Sequence, residues 1–392
     1  MTEIQKEHYF DWAATSPSDK EILTSSLNET LEKWGNPSSI HSAGKEAREL
    51  LENARKTCAS ALGVPAETLY FTSGGTESDH IALLSVLNRQ NKGHVLFSSI
   101  EHPAIREMAS EMKKCGVEAE EILSGADGII QPETVVSMLK PDTVLVCIMA
   151  VNNEIGAIQP VYEIADAITK ATEGKRKPKF HVDCVQAAGK IPFNLNYKGI
   201  DSAAFSAHKI CGPRGIGLLY LKNAVEPFLR GGGQEKGIRS GTENVYGALA
   251  FSKCLEKYFI SEKNKKMEER FSAQQKYCAD FINGLTRLGC CTIIPEARTE
   301  KPDLYSPWIV QAAFKNIPGQ VMLRALDAEG FYISTGSACS SRKNNRPVLE
   351  AMHITRDESE TAVRFSFGSE TTEKAMKELL EKVSEIARKF NS

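Results

Sequence analysis

From about residue 20 to residue 255, short apolar runs of strand length alternate with stretches long enough to be helices. The runs are Leu69-Tyr-Phe-Thr72, His94-Val-Leu-Phe-Ser98, Thr143-Val-Leu-Val-Cys-Ile-Met149, Lys179-Phe-His-Val-Asp183 and Gly215-Ile-Gly-Leu-Leu-Tyr-Leu221. That rhythm predicts a mostly parallel sheet covered by helices on both faces. At 392 residues the chain is long for one core, so two domains are expected. Beyond the alternating region, residues 246–288 read as one long charged helix, with the 262–270 charge run as its solvated face. Strand-like pieces follow at Ile309–Phe314 and Thr361–Ser366. A last helix begins near Thr371 or Thr372, and its apolar stripe is Met376, Leu379, Leu380, Val383, Ile386 and Phe390.

Charge and cysteine usage exclude several classes. A formal net charge of −2 gives no pull toward nucleic acid or an anionic membrane. The longest strongly apolar run, Val144 to Val151, is too short to span a bilayer. The first residues are charged and lack the apolar stretch of a secretory signal, so a cytoplasmic protein is expected. Ten cysteines are scattered without a Cys-x-x-Cys pair, which argues against a zinc ribbon, an iron–sulfur cluster or a disulfide framework. Cys147 and Cys184 lie in apolar runs, where an inert buried thiol is expected.

The chemistry concentrates in Ser202-Ala-Ala-Phe-Ser-Ala-His-Lys-Ile-Cys-Gly-Pro-Arg-Gly-Ile-Gly217. Lys209 stands where an apolar strand meets a glycine-rich turn, beside Ser206 and His208. A lysine held there can form a Schiff base with an aldehyde cofactor. Upstream, His181-Val-Asp-Cys-Val-Gln186 ends a strand in a carboxylate, Asp183. Asp for a pyridinium nitrogen and Lys for an aldehyde is the pairing that pyridoxal 5′-phosphate needs. Taken alone, Lys209 reads more readily as a solvated surface charge, as most lysines are.

Other motifs occur in a matching order. Tyr70-Phe-Thr-Ser-Gly-Gly-Thr-Glu-Ser78 is a strand, a glycine turn and a helix start, which suits an anion at Gly75 and Thr76. It reads also as a plain connection. His102, in Ser99-Ile-Glu-His-Pro-Ala104, can stack on a flat ring and move protons, or can simply start a helix. Asn153, in Val151-Asn-Asn-Glu-Ile-Gly156, follows a strand end and can reach a phenolic oxygen, or can make a turn. The glycine-rich segment from Gly231 to Thr242 reads as a mobile or closely approached loop, and Thr242 can reach a phosphate. Cys339 lies in Ser334-Thr-Gly-Ser-Ala-Cys-Ser-Ser-Arg-Lys343, where Arg342 and Lys343 favour thiolate over thiol. Arg364 is a lone cation in a strand and suits bidentate capture of a carboxylate, or is a strand-edge charge.

With Tyr9-Phe-Asp-Trp-Ala-Ala-Thr15 and Gly35-Asn-Pro-Ser-Ser39 added, the chain resembles the NifS/IscS-like cysteine desulfurases, of the class V aminotransferase group of pyridoxal-phosphate enzymes. The likeness runs nearly the whole length. It implies the α/β fold type I of pyridoxal-phosphate-dependent transferases. A large cofactor-binding domain at residues 16–255 would hold a mostly parallel seven-stranded sheet. A smaller α+β domain would comprise 1–15 and 256–392 and carry the cysteine loop. The resemblance implies Lys209 as the Schiff-base lysine, His102 as ring-stacking proton shuttle and Asp183 on the pyridine nitrogen. Asn153 and Gln186 would contact the ring oxygen, and Gly75, Thr76, Ser206 and His208 the phosphate. Thr242 would reach the phosphate of a neighbouring subunit, which implies a homodimer. Arg364 and Asn36 would bind the substrate carboxylate, and Cys339 would take the sulfur as a persulfide, leaving L-alanine.

Two departures matter. The family often has Asn where this chain has His80, to which no role is assigned. The chain stops at Ser392, soon after its last helix, without the tail that some members use to dock a scaffold protein. The acceptor, an iron–sulfur scaffold or a thiolation relay, is therefore left open. A selenocysteine lyase shares the fold and cofactor, an ordinary aminotransferase would not need Cys339, and a catalytically silent interaction subunit would not need the full set.

Overall fold

The computed structural model describes residues 6–260, 264–336 and 346–391. Seven strands form one sheet: β1 (Leu69–Thr72), β2 (His94–Ser98), β3 (Glu118–Ile122), β4 (Thr143–Cys147), β5 (Lys179–Asp183), β6 (Ser202–Ser206) and β7 (Gly217–Leu221). Their order is β1-β7-β6-β5-β4-β2-β3. β7 runs antiparallel to both its neighbours, and every other pairing is parallel. β2, β4, β6 and β7 are buried at every residue, as strands covered on both faces must be. This is the type I fold the resemblance implied.

β3 was not expected as a strand. Its sequence, Glu-Ala-Glu-Glu-Ile, is too polar for a central strand, but it lies at the sheet edge, and Lys140 neutralises Glu118 and Glu120 there.

A second sheet, in the order β10-β9-β8, is antiparallel: β8 (Cys291–Ile294), β9 (Ile309–Phe314) and β10 (Ala362–Ser366). It packs against the helices Lys265–Thr286 and Glu373–Asn391 around its own apolar cluster of Phe281, Phe314, Phe365, Phe367 and Leu379. The last helix starts as expected, with Thr372 Oγ1 accepting from Ala375 N at 3.1 Å. Met376, Leu379, Val383 and Ile386 of its stripe are buried and Leu380 is partly buried, but Phe390 is 48% exposed and lies beyond the packed face.

The long helix expected at 246–288 is two helices, Val245–Tyr258 and Lys265–Thr286. Phe259 turns extended, and Phe259 and Ile260 are buried in the core of the large sheet. An unbroken helix would have carried both away from it.

The N-terminal segment joins the two sheets. Tyr9 bridges to Tyr332 and Asp11 to Ser366. Phe10 then packs into the small core and Trp12 into the large one, leaving the Ala13 and Ala14 carbonyls at the junction. Among the described residues no helix is long and apolar enough to cross a membrane.

Candidate active site

β1, β2, β4, β5 and β6 all end on one side of the large sheet, where ligands bind in open α/β folds. The residues that follow them line one cavity of about 260 Å³. Gly75, Thr76, His102, Asn153, Asp183, Gln186, Ser206, His208 and Lys209 all line it, and Arg364 reaches it from β10. The motifs are far apart in the chain but meet here.

Lys209 ends a single 3₁₀ turn after β6. Its Nζ donates to Ala13 O at 2.5 Å and to Ala14 O at 2.7 Å, which fixes the amine at the cavity wall. Asp183 is the last residue of β5, and one of its oxygens accepts from Val185 N at 2.8 Å. Burial, and then the neighbouring Asp79, push the Asp183 carboxyl up to about 8. A buried carboxyl so placed gains most from a cation beside it, such as a protonated ring nitrogen. Below it, Asp79 bonds to His181 Nε2 at 3.0 Å, and His181 Nδ1 to Ser202 Oγ at 2.8 Å. Burial raises the Asp79 carboxyl and lowers the His181 imidazole.

His102 does two jobs that the sequence offered as alternatives. Its Nδ1 accepts from Ala104 N at 3.1 Å and caps the helix Pro103–Lys114, while the ring lines the cavity. With Nδ1 accepting, the proton of the neutral ring sits on Nε2. Burial, then the charges of Lys209 and Arg106, push it down to about 4, so it is an unprotonated base at neutral pH. His80 bonds to Ala104 O at 3.1 Å from the neighbouring helix and so steadies the start of this one.

The helix Gly75–Leu84 opens at Gly74 with no side-chain cap, which leaves N–H groups and the positive dipole end facing the cavity. A Cβ at Gly75 would stand 2.7 Å from Val185 Cγ2, so only glycine lets the helix start approach the end of β5. A Cβ at Gly74 would point into the space beside Ser206 Oγ, 4.0 Å away. With the Thr76 and Ser206 hydroxyls, this makes a cradle that fits a phosphate. His208 is tied to Thr15 Oγ1 at 3.2 Å. The donor set therefore fits pyridoxal 5′-phosphate: a phosphate cradle, a carboxyl for the ring nitrogen, an imidazole at the wall and an amine for the aldehyde.

Arg364 is 1% exposed. Its Nη1 donates to Asn153 O at 2.8 Å and its Nη2 to Asp11 Oδ1 at 2.7 Å. Asp11 was not singled out in the sequence, although it lies in the quoted Tyr9–Thr15 motif. Its role depends on a partner 353 residues away.

Two expected site residues are not brought together with the rest. Asn36 is exposed, and its Oδ1 accepts from Ser38 N at 2.9 Å in a local turn. Thr242 is exposed and does not line this cavity. The loop before Thr242 is closely held: buried Glu235 accepts from Arg55 at 2.7 and 2.8 Å and from Phe71 N at 2.8 Å. Cys339 lies outside the described residues.

The charge on Asp183 predicts a pH effect on the cofactor-free protein. Between about pH 4 and 8 the folded carboxyl holds a proton that the unfolded one has lost. Stability therefore falls as pH rises through this window, by up to ~1.4 kcal/mol per unit for one such group. Asp183→Asn removes this contribution. Thermal midpoints measured from pH 5 to 8 should fall less steeply for the variant than for wild type, and parallel curves would show that Asp183 is ionised throughout.

The model of the family "Aminotransferase class-V" matches residues 8–379. The cysteine desulfurase IscS of Dictyoglomus turgidum is 35% identical, over 99% of this chain and 96% of that protein. The IscS of Methanosarcina thermophila is 35% identical over 99% of this chain and 93% of that protein. A solved NifS-like protein superposes with a TM-score of 0.85 at 33% identity, covering 97% of this chain and 99% of that one. The structure described as SspA in complex with cysteine superposes with a TM-score of 0.78 at 28% identity, covering 93% of this chain and 100% of that one.

Proposed function

This chain belongs to the class-V aminotransferase family, and from that membership together with its cavity we infer that it is a pyridoxal-phosphate-dependent cysteine desulfurase. The observation that carries the reading is the convergence of Lys209, Asp183, His102 and Arg364 on one cavity. The net reaction is L-cysteine plus an enzyme thiol giving L-alanine plus an enzyme persulfide, with the sulfur leaving Cβ and a proton taking its place.

Bound pyridoxal phosphate supplies an aldehyde for imine formation and a cationic ring that draws electrons from Cα. The residues of the chain do the rest. Asp183 keeps the ring nitrogen protonated, and Arg364 captures the substrate carboxylate with its planar fork. Lys209 Nζ, released from the Ala13 and Ala14 carbonyls, moves the Cα proton, and neutral His102 accepts and returns protons at the opposite wall. Gly75, Thr76, Ser206 and His208 hold the phosphate, Asn153 and Gln186 the ring oxygen, and the Cys339 thiolate takes the sulfur.

The exposure of Asn36 and Thr242 supports a homodimer in which a partner completes each site. Trp34 and Ile40, 77% and 87% exposed and close to Asn36 in the sequence, are large apolar side chains that such a partner would cover. The two separate sheets and cores support a cofactor-binding domain at about 16–255 and a smaller one from 1–15 and 256–392, with Trp12, Tyr258, Phe259 and Ile260 packing across these bounds into the larger core. A cytoplasmic enzyme that passes sulfur to an acceptor protein completes the reading.

The test is the release of sulfide and alanine from L-cysteine by cofactor-loaded protein with a thiol reductant. Equal amounts of both are expected, and a cofactor-loaded protein that makes neither would overturn the reading. Arg364→Lys gives a second check. Replacing a bidentate fork by a point charge should raise KM for L-cysteine by about 10- to 100-fold with a smaller fall in kcat. An unchanged KM would remove Arg364 from the carboxylate site.

A further inference from the structure

Behind the cavity lies a lysine that the proposed chemistry does not use. Lys190 is 6% exposed, at the end of the turn Gln186-Ala-Ala-Gly-Lys190. Its backbone N–H donates to Ala187 O, and Trp308 Nε1 donates to its carbonyl. The bend is built for this: Gly189 has φ +69°, and a Cβ there would lie 2.6 Å from Ile210 Cδ1 and 2.9 Å from Tyr258 O. Only glycine fits, and it turns Lys190 inward. Burying an amine is costly unless it makes a hydrogen bond. Burial, then the nearby cations Lys209 and Arg364, push the Lys190 amine well below its ordinary range.

The Lys190 Nζ donates to Gln186 Oε1. Gln186 Nε2 donates to Ala13 O at 2.9 Å, the same carbonyl that accepts from Lys209 Nζ. A glutamine amide has one accepting oxygen and two N–H donors. With Oε1 facing Lys190 and one N–H on Ala13 O, the other N–H is left for the cavity that Gln186 lines. The reversed amide would set the oxygen against the Ala13 carbonyl and the NH₂ against the Lys190 donor.

We propose that Lys190 is a positioning residue for the cofactor: it locks the amide of Gln186 so that a donor, not an acceptor, meets the ring oxygen of pyridoxal phosphate. This rests on the cofactor reading above. A donor at that oxygen stabilises its anionic form, which is visible in the absorption of the bound cofactor. Lys190 thus acts on the ring through Gln186 and touches neither substrate nor cofactor.

The experiment titrates cofactor-free wild type, Lys190→Met, Gln186→Met and the double variant with pyridoxal 5′-phosphate, reading the dissociation constant and the visible spectrum. Failure of wild type to bind with a visible band would sink the cofactor reading itself. With wild type bound, Lys190→Met is expected to bind about tenfold more weakly, as for other residues that orient a ligand-contacting side chain. Its absorption band should move in the same direction as that of Gln186→Met. The double variant should match Gln186→Met within about twofold, because two residues acting through one contact do not add. Wild-type affinity and spectrum in Lys190→Met, or additive losses in the double variant, would overturn the proposal. Should Lys190→Met fail to fold, the cycle is run with Lys190→Leu, which likewise has no donor, and the same coupled or additive outcomes decide.

Discussion

Lys209→Ala is expected to lower alanine formation from L-cysteine by about four orders of magnitude or more, the scale seen when the covalent member of a catalytic set is removed. The wild-type amine is held at the cavity wall by Ala13 O and Ala14 O, at the end of a rigid turn between β6 and a buried loop. Alanine leaves the phosphate cradle and Asp183 untouched, so the variant should still bind pyridoxal phosphate, though without a covalent link. Two measurements check this: alanine produced over hours, and cofactor retained after gel filtration and then after denaturation. Lys209→Arg should not rescue, because a guanidinium stays charged and does not form an imine. Turnover above about a tenth of wild type in Lys209→Ala would move the Schiff-base role elsewhere. Lys190, buried and held on Gln186, would then be the next amine to substitute.

What the sequence revealed and what it hid have physical causes. Short runs with apolar or β-branched centres, spaced a helix length apart, read as sheet strands, so β2 and β5 fall at the expected residues. β3 escaped because an edge strand is half solvated and reads as polar. The break between the two long helices escaped because nothing in a charged stretch records that Phe259 and Ile260 must return to the large core. The site was legible for a similar reason. Each of its motifs is a local strand-to-turn transition, and the fold gathers strand ends on one side. Interactions between distant segments were not legible. Asp11 on Arg364 and Glu235 on Arg55 join residues far apart in the chain, and neither partnership shows in the local sequence. The Gly231–Thr242 segment reads as a mobile or closely approached loop from its glycines, and the buried Glu235 pair ties it down.

Cys339→Ala is expected to cut sulfide release by at least about a thousandfold while L-cysteine still binds and still perturbs the absorption of the bound cofactor. The argument begins with the other cysteines. Cys58, Cys147, Cys184, Cys211, Cys254 and Cys278 are buried, and none of the described cysteines lines the cavity. Burial raises the Cys147 and Cys184 thiols well above their ordinary range, so neither supplies a thiolate. Cys339 differs in its sequence neighbours, Arg342 and Lys343, which favour thiolate over thiol. Ser334 exchanges both backbone hydrogen bonds with Arg364, at 2.7 and 3.2 Å, so the chain leaves from beside the cavity wall. Downstream, Arg346 is fastened to Ser359 O and Ala362 O at 2.8 and 3.1 Å. Cys339→Ser should fail equally, since a hydroxyl neither ionises near neutral pH nor accepts sulfur. The assay compares sulfide, alanine and cofactor absorbance for wild type and both variants with L-cysteine and a reductant. Full turnover in either variant would mean that sulfur leaves the substrate without a protein thiol, and the persulfide on Cys339 would have to be abandoned.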